Sequence, residues 1–150
     1  MNLKNTALVL SLVWAISSHA HTISKDERFP ADYFMVHKNL PHYMKIFRVY
    51  GDDESLGLSD QQKAKLQKLQ EEVASVVVDR ATKIKELELA LQKGVVLENK
   101  TSKQLKDVLE EIATLRLELT KAQIDCLHGV KKVLTQEQDK FFIEKVGIKQ

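Results

Sequence analysis

SDQQKAKLQKLQEEVASVVVDRATKIKELELALQKG, residues 59–94, and TSKQLKDVLEEIATLRLELTKAQIDCLHGVKKVL, residues 101–134, form the stretch whose reading decides the fold. In the first half Leu66, Leu69, Val73, Val76 or Val77, Ala81, Ile84, Leu87 and Leu91 recur in steps of three and four. That spacing draws one apolar stripe along an α-helix. The second half repeats it with Leu105, Leu109, Ile112, Leu115, Leu119, Ala122, Cys126, Val130 and Val133. Neither stripe is stable in water, and a short connection lets each cover the other. The expectation is an all-α fold: a long antiparallel helical hairpin with shorter N- and C-terminal helices.

Two copies of one short pattern frame the hairpin, Leu58-Ser59-Asp60-Gln61-Gln62 before it and Leu134-Thr135-Gln136-Glu137-Gln138 after it. Each is a capping box. The Ser59 or Thr135 hydroxyl accepts from the N–H three residues on, while the Gln62 or Gln138 side chain reaches back to the cap's own N–H. Such a cap is worth about 1 kcal/mol. Thr101-Ser102-Lys103-Gln104 reads as a third box, opening the second arm. Lys63 and Asp139 stand where apolar partners for Leu58 and Leu134 are usual, so those leucines must pack on each other or on an aromatic segment upstream. At the far end Lys93-Gly94 reads as a helix stop, with Gly94 left-handed and Val95 folded back on Leu89 or Ala90. The arms then span 60–93 and 101–134, with Leu91 near Leu105, Ile84 near Ile112, Val76 near Leu119 and Val73 near Ala122. Arg80 lies close to the seam, with Glu111 or Glu118 as its partner. A two-helix hairpin of this length has little core of its own, which predicts a homodimer.

Upstream of the hairpin, residues 32–50 are dense in Tyr33, Phe34, Met35, Val36, Leu40, Tyr43, Met44, Ile46, Phe47, Val49 and Tyr50. Pro41 breaks any helix there, and Asn39 is placed to cap a new one. The segment predicts a broken element, 32–39 and 40–50, closed by Gly51-Asp52-Asp53. Most of its rings suit core packing across the hairpin. The alternative is an exposed client or partner surface built on Tyr33, Phe34, Tyr43 and Phe47.

Residues 1–20 carry a leader pattern: Lys4, an apolar run over 7–16, and Ser18-His19-Ala20 at the cleavage position. That apolar run falls short of the roughly 20 residues a bilayer span needs. The expectation is a cleaved signal peptide, a flexible arm over 21–31, and a helical domain over 32–150 that is exported and has no membrane span. Of 23 Lys and Arg only Lys4 lies in the leader, leaving 22 against 21 Asp and Glu, a formal charge of +1. So even a balance argues against nucleic acid as partner. The single cysteine, Cys126, lies on the apolar stripe and reads as a small buried hydrophobe; alone, it makes no internal disulfide.

A leader, a helical pattern and two Leu-Ser/Thr-x-x-Gln boxes about 75 residues apart resemble the Spy/CpxP family of periplasmic proteins, over roughly 40–146. The resemblance implies a thin, cradle-like homodimer acting as an ATP-independent chaperone for unfolded envelope proteins, or as a partner of an envelope-stress sensor kinase. It also includes ZraP- and CnrX-like members that bind or sense zinc, nickel, cobalt or copper. Leu58, Ser59, Gln62, Leu134, Thr135 and Gln138 carry the motif. The aromatic, proline-split N-terminal segment departs from the chaperone members, as does the near-zero charge.

The sequence holds no catalytic pattern: there is no Ser/His/Asp arrangement, no phosphate-binding glycine loop and no carboxylate pair in an apolar setting. The chain reads as a non-enzyme with no cofactor. A transition metal is the alternative, through His21, His37 and His42 with Met35 and Met44 as softer donors. A new N-terminus at His21 would offer amine and imidazole together to Cu(II) or Ni(II). His37 and His42 are five apart across Pro41, and Cys126 and His128 two apart, so neither pair shares a helix face. Docking on one dedicated envelope partner is the third reading.

Overall fold

A computed structural model of the chain describes residues 31–36 and 40–147. Among them are a 3-10 turn, Ala31–Tyr33, and four helices: α1 Tyr43–Tyr50, α2 Asp60–Val96, α3 Lys106–Val133 and α4 Gln136–Lys145. The fold is all-α, with no strand among the described residues. The leader, the arm up to residue 30, and residues 37–39 with the proposed Asn39 cap lie outside them.

The 37 residues of α2 reach about 55 Å at 1.5 Å per residue. Its stripe is the seam: Leu66, Val77, Ala81, Ile84 and Leu87 are buried, as are Ile112, Leu119, Cys126 and Val130 of α3. Positions on α3 rise as their partners on α2 fall. Leu105 lies against Gly94, Lys83 faces Glu111 at 4.0 Å, Arg80 meets Glu118 at 2.6 Å, and Leu69 covers Gly129. Of the two acidic partners considered for Arg80, Glu118 is the one it bonds. A second cross-pair joins Arg116 to Glu88 at 2.5 Å.

Two apolar clusters divide the core. One gathers Tyr43, Met44, Ile46, Leu56, Leu66, Cys126, Val130 and Phe142, with Leu58 and Leu134 packed on its edge. These leucines thus find the aromatic segment. The other joins Phe34 to Val77, Ile84, Leu87, Ile112 and Leu119.

The boxes at Ser59 and Thr135 form completely at the starts of α2 and α4. Three local expectations need correction. Gly94 does not stop α2, which runs on to Val96; it is a buried helical residue. A Cβ there would sit 2.9 Å from Leu105 Cδ2, so glycine serves close approach rather than a left-handed turn. The left-handed residue is Asn99, φ 52, a conformation that asparagine tolerates. The turn therefore comes later than read, and Val95 is exposed instead of folded back. Finally, the Thr101 box forms by half. Thr101 N–H donates to Gln104 Oε1 at 2.9 Å, but the Thr101 hydroxyl also donates to that oxygen instead of accepting from Gln104 N–H. Residues 102–105 form a turn, and α3 begins at Lys106.

Candidate functional site

The two framing boxes are 76 residues apart and come together in space. Ser59 Oγ accepts from Gln62 N–H at 3.2 Å, and Gln62 Oε1 accepts from Ser59 N–H at 3.0 Å. Thr135 Oγ1 and Gln138 repeat this at 3.3 and 2.9 Å. Each glutamine oxygen is thereby turned to its own helix start, which leaves each amide NH2 pointing outward. Gln62 Nε2 donates to Gln138 Oε1 at 2.8 Å and to the Val133 carbonyl at 2.9 Å. Gln138 Nε2 donates to the Gly57 carbonyl at 3.0 Å and, more weakly, to Gln62 Oε1 at 3.4 Å. Two helix starts and the chain leading into each are closed into one network. Leu58 and Leu134 seat that network on the aromatic cluster.

The aromatic end continues from there. The Tyr43 and Phe142 rings lie 5.3 Å apart, and Tyr50 meets Phe141 edge-on at 5.6 Å. Lys145 Nζ stands 4.9 Å from the centres of both Tyr50 and Phe141, a cation held over two ring faces. Burial, and then the neighbouring Asp139 carboxylate, raise the Tyr43 phenol above its ordinary range. An open cleft of about 450 Å3 runs between α1 and α2, lined by Phe47, Arg48, Gly51, Gln67, Gln70 and Ala74, with the Lys63–Asp52 pair at 2.8 Å also on its wall.

Phe34 and Tyr43 are each 3% exposed and pack in the core; Tyr33 and Phe47 are half-buried against the two clusters. Met44 is buried as a core residue, while Met35 is exposed. Of the metal candidates, His21 and His37 lie outside the described residues. His42 is half-buried, its ring edge-on to Phe34 at 5.6 Å, with Gln123 Nε2 3.2 Å from Nδ1. Burial, and then the charge of Lys45, lower its pKa below the usual 6.5. Burial pushes the Cys126 thiol up to about 11.

Sequence reasoning passed over Thr120 and Gln123, both buried on α3. Thr120 Oγ1 accepts Met35 N–H at 2.9 Å, and Gln123 Nε2 donates to the Leu40 and Pro41 carbonyls at 3.3 and 3.2 Å. These bonds pin the segment before α1 to α3, satisfying backbone groups that no helix uses. The available signal was position, since both flank the Leu119–Ala122–Cys126 seam with uncharged polar side chains. Comparisons with family models, with curated proteins and with solved structures find no match.

Proposed function

We propose that the chain is an ATP-independent holder of non-native envelope proteins, or the adaptor that presents them to a stress-sensor partner. It would act without catalysis or cofactor, after export to the periplasm. In this reading α2 and α3 are the arms of a long antiparallel hairpin, and two copies form a cradle-like homodimer. The observation that carries it is the Gln62–Gln138 network. The motif pair behind the resemblance to the Spy/CpxP family is here one spatial unit that joins the start of α2 to the end of α3.

Further support comes from α3, where Leu117 and Ile124 are exposed at helical spacing away from the seam, and Leu109, expected on the buried stripe, is exposed as well. A single chain leaves them in water, and unfolded polypeptide or a second copy would cover them. Metal sensing gains no comparable observation, because the one described candidate, His42, is engaged with Gln123 and Phe34.

The test is light scattering. A chemically denatured enzyme is diluted into buffer with and without an equimolar amount of the purified protein, in the absence of ATP. Scattering should fall, and should fall less with Leu117→Ser/Ile124→Ser at unchanged circular dichroism. Undiminished scattering would end the holding role and leave the adaptor role, read by co-purification with an envelope sensor domain.

A further inference from the structure

Val95, Val96 and Leu97 follow one another at the end of α2 with 50%, 70% and 76% of their surface in solvent. Single exposed apolar residues are ordinary, but three in succession at a projecting turn call for something to cover them. This is no frayed end. Leu97 and Glu98 N–H both donate to the Lys93 carbonyl, at 2.9 and 3.2 Å, and Lys100 N–H donates to the Gly94 carbonyl at 2.9 Å. Asn99 supplies the left-handed turn, and Leu105 closes on Gly94. The backbone thus holds the three side chains outward.

Lysines surround them. Between positions 93 and 106 stand Lys93, Lys100, Lys103 and Lys106 against one carboxylate, Glu98, so four minus one gives a local charge of +3. Glu98 is itself held by Lys100 at 2.6 Å and Lys93 at 3.8 Å, and Lys106 pairs with Glu110 at 3.6 Å one residue before Asp107, so the excess of positive charge is carried on the turn itself and falls off where α3 begins. Lysine stems are long enough to lie along apolar surface with their ammonium heads beyond it.

We propose that this end of the molecule docks on an anionic lipid surface, with Val96 and Leu97 entering the headgroup layer and the lysines contacting lipid phosphates. Charge complementarity selects this occupant: a convex apolar point in a cationic collar matches a surface that is anionic outside and apolar beneath. The contact proposed is peripheral, and no described helix is long and apolar enough to cross a membrane. The inference goes beyond the chaperone reading and does not depend on it.

The experiment uses the full chain carrying Trp14→Phe and Leu97→Trp, which moves its single tryptophan to the turn. Emission is recorded with vesicles of phosphatidylcholine alone and with about one-third phosphatidylglycerol. The relocated indole should shift to the blue and be quenched by brominated acyl chains on the anionic vesicles only. Lys100→Glu/Lys103→Glu should weaken apparent partitioning about tenfold, as should high salt. Because the readout is local to position 97, attachment through another segment does not imitate it. No shift on anionic vesicles overturns the proposal, and so does an equal shift on neutral ones. A blue shift without vesicles that grows with protein concentration would assign the turn to a second copy and also overturn it. Flotation of the otherwise unaltered chain against Val96→Asp, with less Val96→Asp protein in the anionic fraction expected, guards against a tryptophan artefact; equal flotation counts against the proposal.

Discussion

Gln62 and Gln138 donate to each other's side-chain oxygens, at 2.8 Å one way and 3.4 Å the other, while each of those oxygens also caps its own helix. A capping box is usually a local device, complete within four residues. Here the amide left over from each cap is used across the fold, on the other box and on the Val133 and Gly57 carbonyls. Correct formation of either helix start therefore orients a donor for the other.

Such reciprocity is measurable as coupling. Gln62→Ala and Gln138→Ala should each destabilise the fold by about 1–2 kcal/mol, since each removes a cap acceptor and strands a carbonyl. The double variant should cost less than the sum by about 0.5–1 kcal/mol. Urea denaturation of the four proteins gives the cycle, and strict additivity would mean the boxes act separately.

Gly94 and Leu105 predict a size threshold. Gly94→Ala gains up to about 1 kcal/mol of helix propensity, and its Cβ meets only the movable ends of Leu105 and Lys100, so stability should change little. Gly94→Val adds branches with no space left and should cost about 1–3 kcal/mol. Thermal melts of the two variants would show the difference; equal stability would mean that Leu105 can leave the contact freely.

Along the seam, apolar packing should outweigh charge. Leu119→Ala empties a fully buried position and should cost about 2–5 kcal/mol. Glu118→Gln, next to it in sequence, removes the charge that pairs with Arg80 and keeps an amide oxygen to accept from it, and both side chains keep about a third or more of their surface in water. Its cost should stay within about 1 kcal/mol and shrink with salt. A salt-insensitive loss at Glu118 as large as that at Leu119 would reverse this ranking.

These contrasts track what was legible in the sequence. The two complete boxes, the seam from Leu66 to Leu87 and its α3 counterpart depend on neighbours within one or two turns, and periodicity reports those. Gly94 misleads because Lys93-Gly94 is a locally good stop, whereas the deciding contact comes from Leu105 across the turn. Core packing is the expectation for most rings of the aromatic segment, but the segment carries no period to say which of them face inward, so Phe34 and Tyr43 also fit the exposed alternative. The Gln62–Gln138 bonds were beyond local reading altogether. Only the folded chain brings the second box within reach of the first.

Cys126 should be slow to alkylate. Its pKa of about 11 against an ordinary 9.0 leaves roughly a hundredfold less thiolate at pH 8. Iodoacetamide labelling should be slower than that of a free thiol by at least this factor, and urea should restore the rate. Because the folded pKa is the higher one, any stability tied to the neutral thiol is present below pH 9 and is lost as pH climbs toward 11. Fast labelling at neutral pH without denaturant would show that α1 and α4 leave the thiol open.

His42 gives the opposite pH dependence. Burial among Phe34, Gln123 and the Pro41 backbone lowers its folded pKa, with Lys45 adding to the effect, so the unfolded chain takes up its proton first. By linkage the fold loses stability as pH falls below the unfolded value of 6.5, and the loss levels off below the folded value. Above about pH 7 this residue adds no slope. Urea midpoints of the wild type and His42→Asn, measured from about pH 7.5 to about pH 5, should therefore diverge in slope, the variant being flatter. Parallel slopes would mean that His42 takes up a proton as readily in the fold as in the open chain, with the Gln123 contact giving way to water.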